Sequence, residues 1–213
     1  MKNILIVTGG NVDYEWAKKW IKEISFDYVI AADSGLVHCD RLKIKVDYLL
    51  GDYDSVDKNV FEKYNKSTET KTYPPEKDYT DTHLALLKAV QKCPDSIYII
   101  GATGTRFDHV LTNIGIMKLA LDKGVKCFIY DKCNKIYLAN KTFSIDKDKQ
   151  YGKFISFVPL TENVTITLKG MKYPLNEYEL KQGLSICQSN EIVDEKASII
   201  IKYGILIVFE ARD

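Results

Sequence analysis

The sequence predicts an α/β domain built on a parallel sheet, followed by an antiparallel β-sandwich. Three observations carry this reading. Over residues 1–131, short apolar runs alternate with amphipathic segments, the pattern of a parallel sheet with crossover helices. Over residues 132–213 the helical period disappears, and β-rich runs follow one another between turn residues. Hydrophobic residues make up 46% of 213 positions, enough to bury a proper core.

In the first half, Ile4 to Val7 reads as a strand ending in Thr8-Gly9-Gly10. Asp13 to Ile24 places Trp16, Ala17, Trp20, Ile21 and Ile24 at helical spacing, so both tryptophans read as core residues. Tyr28 to Ala32 is a strand ending in Asp33-Ser34-Gly35, and Tyr48 to Leu50 is one ending in Gly51-Asp52-Tyr53-Asp54-Ser55. The less apolar stretch Thr70 to Tyr73 leads to Asp78-Tyr79-Thr80-Asp81 and a helix over Thr82 to Gln91. Ile97 to Ile100 runs into Gly101 to His109, before a helix over Val110 to Lys123. In the second half, Lys135 to Ala139, Phe154 to Val158, Val164 to Leu168, Ala197 to Ile201 and Ile205 to Phe209 read as strands. The boundary near Lys132 to Asn134 has no Pro- or Ser-rich linker.

Charge and cysteine content narrow the function classes. Thirty Lys and Arg balance 29 Asp and Glu for a net charge of +1, which argues against nucleic-acid binding through bulk charge. Only Arg41, Arg106 and Arg212 are arginine, so Arg106 in a glycine-rich loop suggests a place that needs a planar fork. The cysteines at 39, 93, 127, 133 and 187 show no zinc or redox spacing and fit reduced thiols. Met1 leads straight into the first strand and no apolar run is long enough for a bilayer, so a cytoplasmic protein without membrane partners is expected.

The strand-end loops hold the chemistry. Ligands of open parallel sheets bind along the carboxyl edge of the strands. Asp52 and Asp54, two apart on an extended segment, present carboxylates to one side. Such a pair is costly unless a cation lies between, and hard oxygen ligands suit Mg²⁺; the alternative is ordinary turn chemistry. Asp81 or Thr80 is either a helix N-cap or part of the same site, and the two roles are compatible because a helix N-terminus also favours phosphate. Asp33 is either a strand-end ligand or the cap of a helix over Ser34 to Leu42. Gly101 and Gly104 permit close backbone approach, Arg106 can fork onto phosphate oxygens, and Asp108 either caps the next helix or orients Arg106. There is no Gly-x-x-x-x-Gly-Lys-Ser/Thr, which excludes a P-loop kinase. His109 reads as a helix-start residue, and His38 and His83 are given no role.

Together these segments resemble the thiamine pyrophosphokinase family. The resemblance rests on Ala32-Asp33-Ser34-Gly35, Gly51-Asp52-Tyr53-Asp54-Ser55, Asp78-Tyr79-Thr80-Asp81 and Gly104-Thr105-Arg106-Phe107-Asp108-His109, in that order. Gly170-Met171-Lys172-Tyr173-Pro174-Leu175 and Gly183 followed by Ser189-Asn190-Glu191 extend it across nearly the whole chain. It implies transfer of the pyrophosphoryl group of ATP to thiamine, giving thiamine diphosphate and AMP. It further implies Mg²⁺ on Asp52, Asp54 and Asp81, and an ATP site lined by Asp33, Asp78, Gly101, Thr103, Gly104, Arg106 and Asp108. Tyr173, Ser189 and Asn190 would contact thiamine. The family pattern is a homodimer whose sites are shared between one subunit's α/β domain and the partner's sandwich. Some relatives carry Gly-Gly where this chain has Gly104-Thr105, and Trp where it has Tyr173; Tyr still stacks on a cationic ring. The alternatives are a pyrophosphokinase for another primary alcohol, such as a hydroxymethylpterin, and a non-catalytic nucleotide or Mg²⁺ sensor.

Overall fold

The computed structural model describes residues 2–53, 56–66, 68–72 and 78–213. Asp54 and Ser55 of the acidic loop and Tyr73 lie outside the described residues. The chain forms two compact units, Met1–Lys132 and Cys133–Asp213.

The first unit runs β1 (Asn3–Val7), α1 (Tyr14–Glu23), β2 (Tyr28–Ala32), α2 (Gly35–Leu42), β3 (Tyr48–Gly51), α3 (Lys58–Asn65), β4 (Glu69–Thr72), α4 (Asp81–Gln91), β5 (Ser96–Ile100), α5 (Phe107–Ile116), α6 (Lys118–Asp122) and β6 (Lys126–Tyr130). Its strands pair in parallel in the order β4-β3-β2-β1-β5-β6. β1, β2, β3 and β5 are almost wholly buried, which is why they read as continuous apolar runs. Ile4, Leu5 and Ile6 have no exposed surface, and each such side chain stabilises the fold by roughly 1.5–3 kcal/mol. The order reverses direction between β1 and β5. In an open α/β sheet that switch point leaves a crevice at the strands' carboxyl ends.

The helices follow their sequence signals, with one difference. The Asp13 carboxylate caps α1 by accepting from the Trp16 N–H at 2.9 Å, and Trp16 stacks on the buried Trp20 with ring centroids 5.5 Å apart. The single helix expected over Val110 to Lys123 is instead α5 and α6, joined at Met117. There the Met117 N–H reaches Ile114 and the Ala120 N–H reaches Met117, a 3₁₀-type tightening that turns the helix at a buried residue.

The second unit is all β apart from a single 3₁₀ turn, with β7 (Asn134–Ala139), β8 (Phe143–Asp146), β9 (Phe154–Pro159), β10 (Asn163–Lys169), β11 (Leu175–Lys181), β12 (Lys196–Tyr203) and β13 (Leu206–Ala211). β13 pairs antiparallel with β7 and β9, while β11-β10-β12-β8 form a four-stranded antiparallel sheet. Val164, Ile166 and Leu168 of β10 share one core with Ile155 and Phe157 of β9 and Leu206 and Val208 of β13. Two sheets closing on one core make a sandwich. The expected strands form, and β8 and β11 are added; β11 reads poorly because its sequence, LNEYELK, is largely polar.

Candidate active site

The crevice at the switch point is built by two loops zipped together. Beyond β1, the Thr8 N–H donates to Ile100, the Gly10 N–H to Gly101 and the Asn11 N–H to Thr103, at 3.0, 2.7 and 2.7 Å. Gly101 sits at φ 73°, and a Cβ there would lie 2.0 Å from the Thr8 carbonyl oxygen, so only glycine fits. The Asn113 amide, buried on α5, donates to the Ala102 carbonyl at 2.9 Å. The Thr8 and Thr82 hydroxyls are hydrogen-bonded at 2.8 Å, tying β1's end to the start of α4. These anchors frame an open cleft of about 420 Å³.

Asp33, Asp81, Gly101, Thr103, Gly104 and Arg106, all singled out in the sequence, line that cleft. Thr80, not Asp81, caps α4, its hydroxyl accepting from the His83 N–H at 3.2 Å. Asp81 is therefore the first residue of the helix, where a carboxylate and an anionic ligand both meet the positive dipole end. Ser34 rather than Asp33 takes the N-cap position of α2. Asp33 itself is left-handed (φ 47°), and its N–H donates to Leu50 at 2.8 Å. Gly51 passes so close that a Cβ there would stand 2.9 Å from the Asp33 Cα. That contact brings the acidic loop after β3 beside Asp33.

The electrostatics suit a cation. Burial pushes the Asp33 carboxyl above the usual range, and the charges of Asp81 and Asp52 push it further, against the Ser34 hydrogen bonds. Three side-chain polar atoms are buried without a hydrogen-bond partner among the described residues, and two of them, Asp33 Oδ1 and the Tyr53 hydroxyl, lie here. Burial raises the Tyr53 hydroxyl's pKa, with Asp81 and Asp33 among the further causes. Among the described residues, which exclude Asp54, no group of three or more His, Cys, Asp or Glu side chains is placed to hold a metal ion. Carboxylates are the hard oxygen donors that Mg²⁺ accepts, and Mg²⁺ characteristically completes its shell with waters and substrate oxygens.

Asp52, Asp78 and Asp108 stand outside the cleft wall. Asp52 reaches the site through its charge on Asp33. Asp108 grips Arg106, whose Nη2 and Nε donate to its two carboxylate oxygens at 2.6 and 3.3 Å. The guanidinium holds the Asp108 carboxyl below the usual range. Asp108 orients the arginine and is not the cap, a position Arg106 occupies. Thr82 and Asn113 belong to the site but carry no sequence signal, because small polar residues in helices are ordinary. Gly9 and Gly10, also in the wall, are part of the first strand-end loop.

In the second unit, Tyr173 is 59% exposed and Ser189 is exposed, whereas Asn190 is 1% exposed. The Asn190 side chain accepts from the Tyr173 N–H at 3.0 Å and from the Glu191 N–H at 2.9 Å, and donates to the Tyr173 carbonyl at 2.9 Å. Asn190, from which a thiamine contact is expected, turns these groups to the backbone and braces Tyr173. The Ser189 N–H donates to the Ser156 hydroxyl at 2.9 Å, leaving its own side chain outward.

Known proteins resemble this chain in both of its units. The family model "Thiamin pyrophosphokinase, catalytic domain" matches residues 20–129, and "Thiamin pyrophosphokinase, vitamin B1 binding domain" matches residues 140–206. The thiamine pyrophosphokinase of Bacillus subtilis is 34% identical over 221 residues, covering all of both chains. A crystal structure of thiamine pyrophosphokinase from Bacillus subtilis aligns over all of both chains with a TM-score of 0.89 and 32% identity. One from Geobacillus thermodenitrificans aligns over 99% of this chain and 98% of its own, with a TM-score of 0.85 and 25% identity. A catalytic-domain match on the unit that holds the cleft, a vitamin-binding match on the sandwich, and a full-length relative together place this chain in the thiamine pyrophosphokinase family.

Proposed function

We propose that the cleft between the β1 and β5 loops is where ATP is held while its terminal pyrophosphoryl group passes to thiamine. The family's reaction is ATP-dependent pyrophosphoryl transfer to thiamine, and the comparisons give no support to a pterin substrate or a sensor. The observation that carries the placement is the meeting, in one cleft, of a partnerless buried carboxylate oxygen on Asp33, the α4 N-terminus at Asp81 and the clasped Arg106. The thiamine hydroxyl oxygen bonds to the β-phosphorus of ATP, the bond from that phosphorus to the α–β bridging oxygen breaks, and AMP leaves with that oxygen. The hydroxyl proton passes to a nearby carboxylate or to water. Arg106, fixed by Asp108, faces oxygens whose charge shifts in the transition state. Positioning dominates such transfers, so a strong base is not required.

Asp33, Asp52, Asp54 and Asp81 would hold Mg²⁺, with Asp78 at the rim. When bound, that ion neutralises charge on the phosphate oxygens. Tyr173 and Ser189 would receive thiamine, with Asn190 holding Tyr173 in place. The active unit would be a homodimer in which the first unit of one chain works with the second unit of its partner. Phe107 and Leu111, 76% and 71% exposed one helical turn apart on α5, offer an apolar patch of the kind that packs against a partner. Among the described residues no helix is long and apolar enough to cross a membrane, and no disulfide joins the five cysteines. Reduced thiols fit a cytoplasmic setting.

Calorimetric titration of a non-hydrolysable ATP analogue, with and without Mg²⁺, tests the placement. Tight binding should need Mg²⁺ in the wild type and be lost in Asp81→Asn. Equal binding in all four cases would remove the cleft from the reaction.

A further inference from the structure

Gly10 is held at three points. Its N–H donates to Gly101, and the next N–H, of Asn11, donates to Thr103. Its carbonyl, past the end of the β1 ladder, lies 2.8 Å from His38 Nε2 on α2. A carbonyl only accepts, so Nε2 carries the proton. The other ring nitrogen, Nδ1, lies 2.7 Å from the Tyr14 hydroxyl on α1, and Arg41 Nη1 donates to that hydroxyl at 3.3 Å. Every donor therefore points the same way, from Arg41 to Tyr14 to His38 to Gly10, and bonds aligned head to tail strengthen one another. Burial and the nearby Arg41 charge both keep the ring neutral, against the Gly10 hydrogen bond. None of these three side chains lines the cleft, whereas Gly10 does.

We propose that Tyr14 and His38 form a positioning pair that sets, through the Gly10 carbonyl, the wall of the cleft receiving the ATP phosphates. The inference rests on the assignment of that cleft to ATP. The pair reaches substrate only through the backbone, so it governs nucleotide affinity and leaves the chemical step and the thiamine side alone. Loss of one such hydrogen bond in His38→Ala should raise KM for ATP by about 3- to 10-fold, with kcat within about twofold of wild type. KM for thiamine should not move. His38→Gln should restore the wild-type KM for ATP, because its amide N–H can occupy the Nε2 position. Tyr14→Phe, which removes one hydroxyl, should give a smaller rise of the same kind.

Wild-type KM for ATP in His38→Ala overturns the proposal. A parallel rise in both KM values with a lower melting temperature, unrescued by Gln, also overturns it, because that pattern marks a general packing defect. If His38→Ala does not fold, Tyr14→Phe decides, and an unchanged KM for ATP there is a refutation. Arg106→Ala separates the two levels of the argument. If it raises KM for ATP while His38→Ala does not, the cleft assignment stands and the positioning pair falls. If Arg106→Ala leaves both kcat and KM for ATP unchanged, both fall.

Discussion

Arg106 and Asp108 are clasped side to side, the guanidinium Nη2 and Nε donating to the two carboxylate oxygens at 2.6 and 3.3 Å. The two side chains are 71% and 64% exposed, so in solvent the pair contributes little to stability. Its value lies in orientation. Asp108→Asn should leave the melting temperature unchanged and lower kcat/KM by about tenfold, the scale of a weakened charged hydrogen bond. Arg106→Lys keeps charge but loses the fork, and should fall further. Steady-state kinetics beside a thermal melt checks both; wild-type kinetics in Arg106→Lys would show that the fork is unnecessary.

Asp33 sets stability against function. Its carboxyl is raised by burial and by the Asp81 and Asp52 charges, so the folded state binds the proton more tightly than the unfolded chain. That stability is fully present below the unfolded carboxyl value and is lost as pH rises through the raised folded value. Above both, the ionised group opposes folding. Asn tolerates the left-handed backbone at this position. In EDTA near neutral pH, Asp33→Asn should therefore melt higher than wild type. The gain should shrink as pH falls, and turnover should drop. A melting difference independent of pH would contradict the assignment.

Asn190 and Tyr173 should separate structure from binding. Asn190→Ala leaves part-buried Tyr173 and Glu191 backbone groups without their side-chain partner, at a cost of about 1 kcal/mol or more. Tyr173→Ala should melt like wild type and raise KM for thiamine alone. Denaturant melts with thiamine titrations distinguish them. Equal stability of the two variants would return Asn190 to the substrate.

Shared sites predict complementation. Assayed at thiamine well below the raised KM of Tyr173→Ala, where each folded variant alone turns over slowly, Asp52→Asn and Tyr173→Ala chains should regain activity on subunit exchange, because one site of each heterodimer is intact. Verified heterodimers as inactive as their parents would place both residues in one chain's site.

The sequence carried the strands of the first unit because buried parallel strands read as unbroken apolar runs, and it carried the cleft because glycines and acids punctuate their ends. Asp33, Asp81, Gly101, Thr103, Gly104 and Arg106 were legible for that reason. His38, Thr82 and Asn113 were not. Their meaning depends on which backbone they meet across tens of residues, such as His38 on Gly10. The bracing by Asn190 was hidden for a related cause: a motif shows which residue is present, and only the fold shows which backbone groups its amide meets. The break at Met117 was hidden because the apolar spacing continues across it.

The central claim is that the group moved from ATP to thiamine is pyrophosphoryl. Phosphorus NMR of purified protein with ATP, thiamine and Mg²⁺ tests it in one sample. The signals of AMP and thiamine diphosphate should grow in equal amounts as ATP declines. Growth of ADP with thiamine monophosphate would contradict the account.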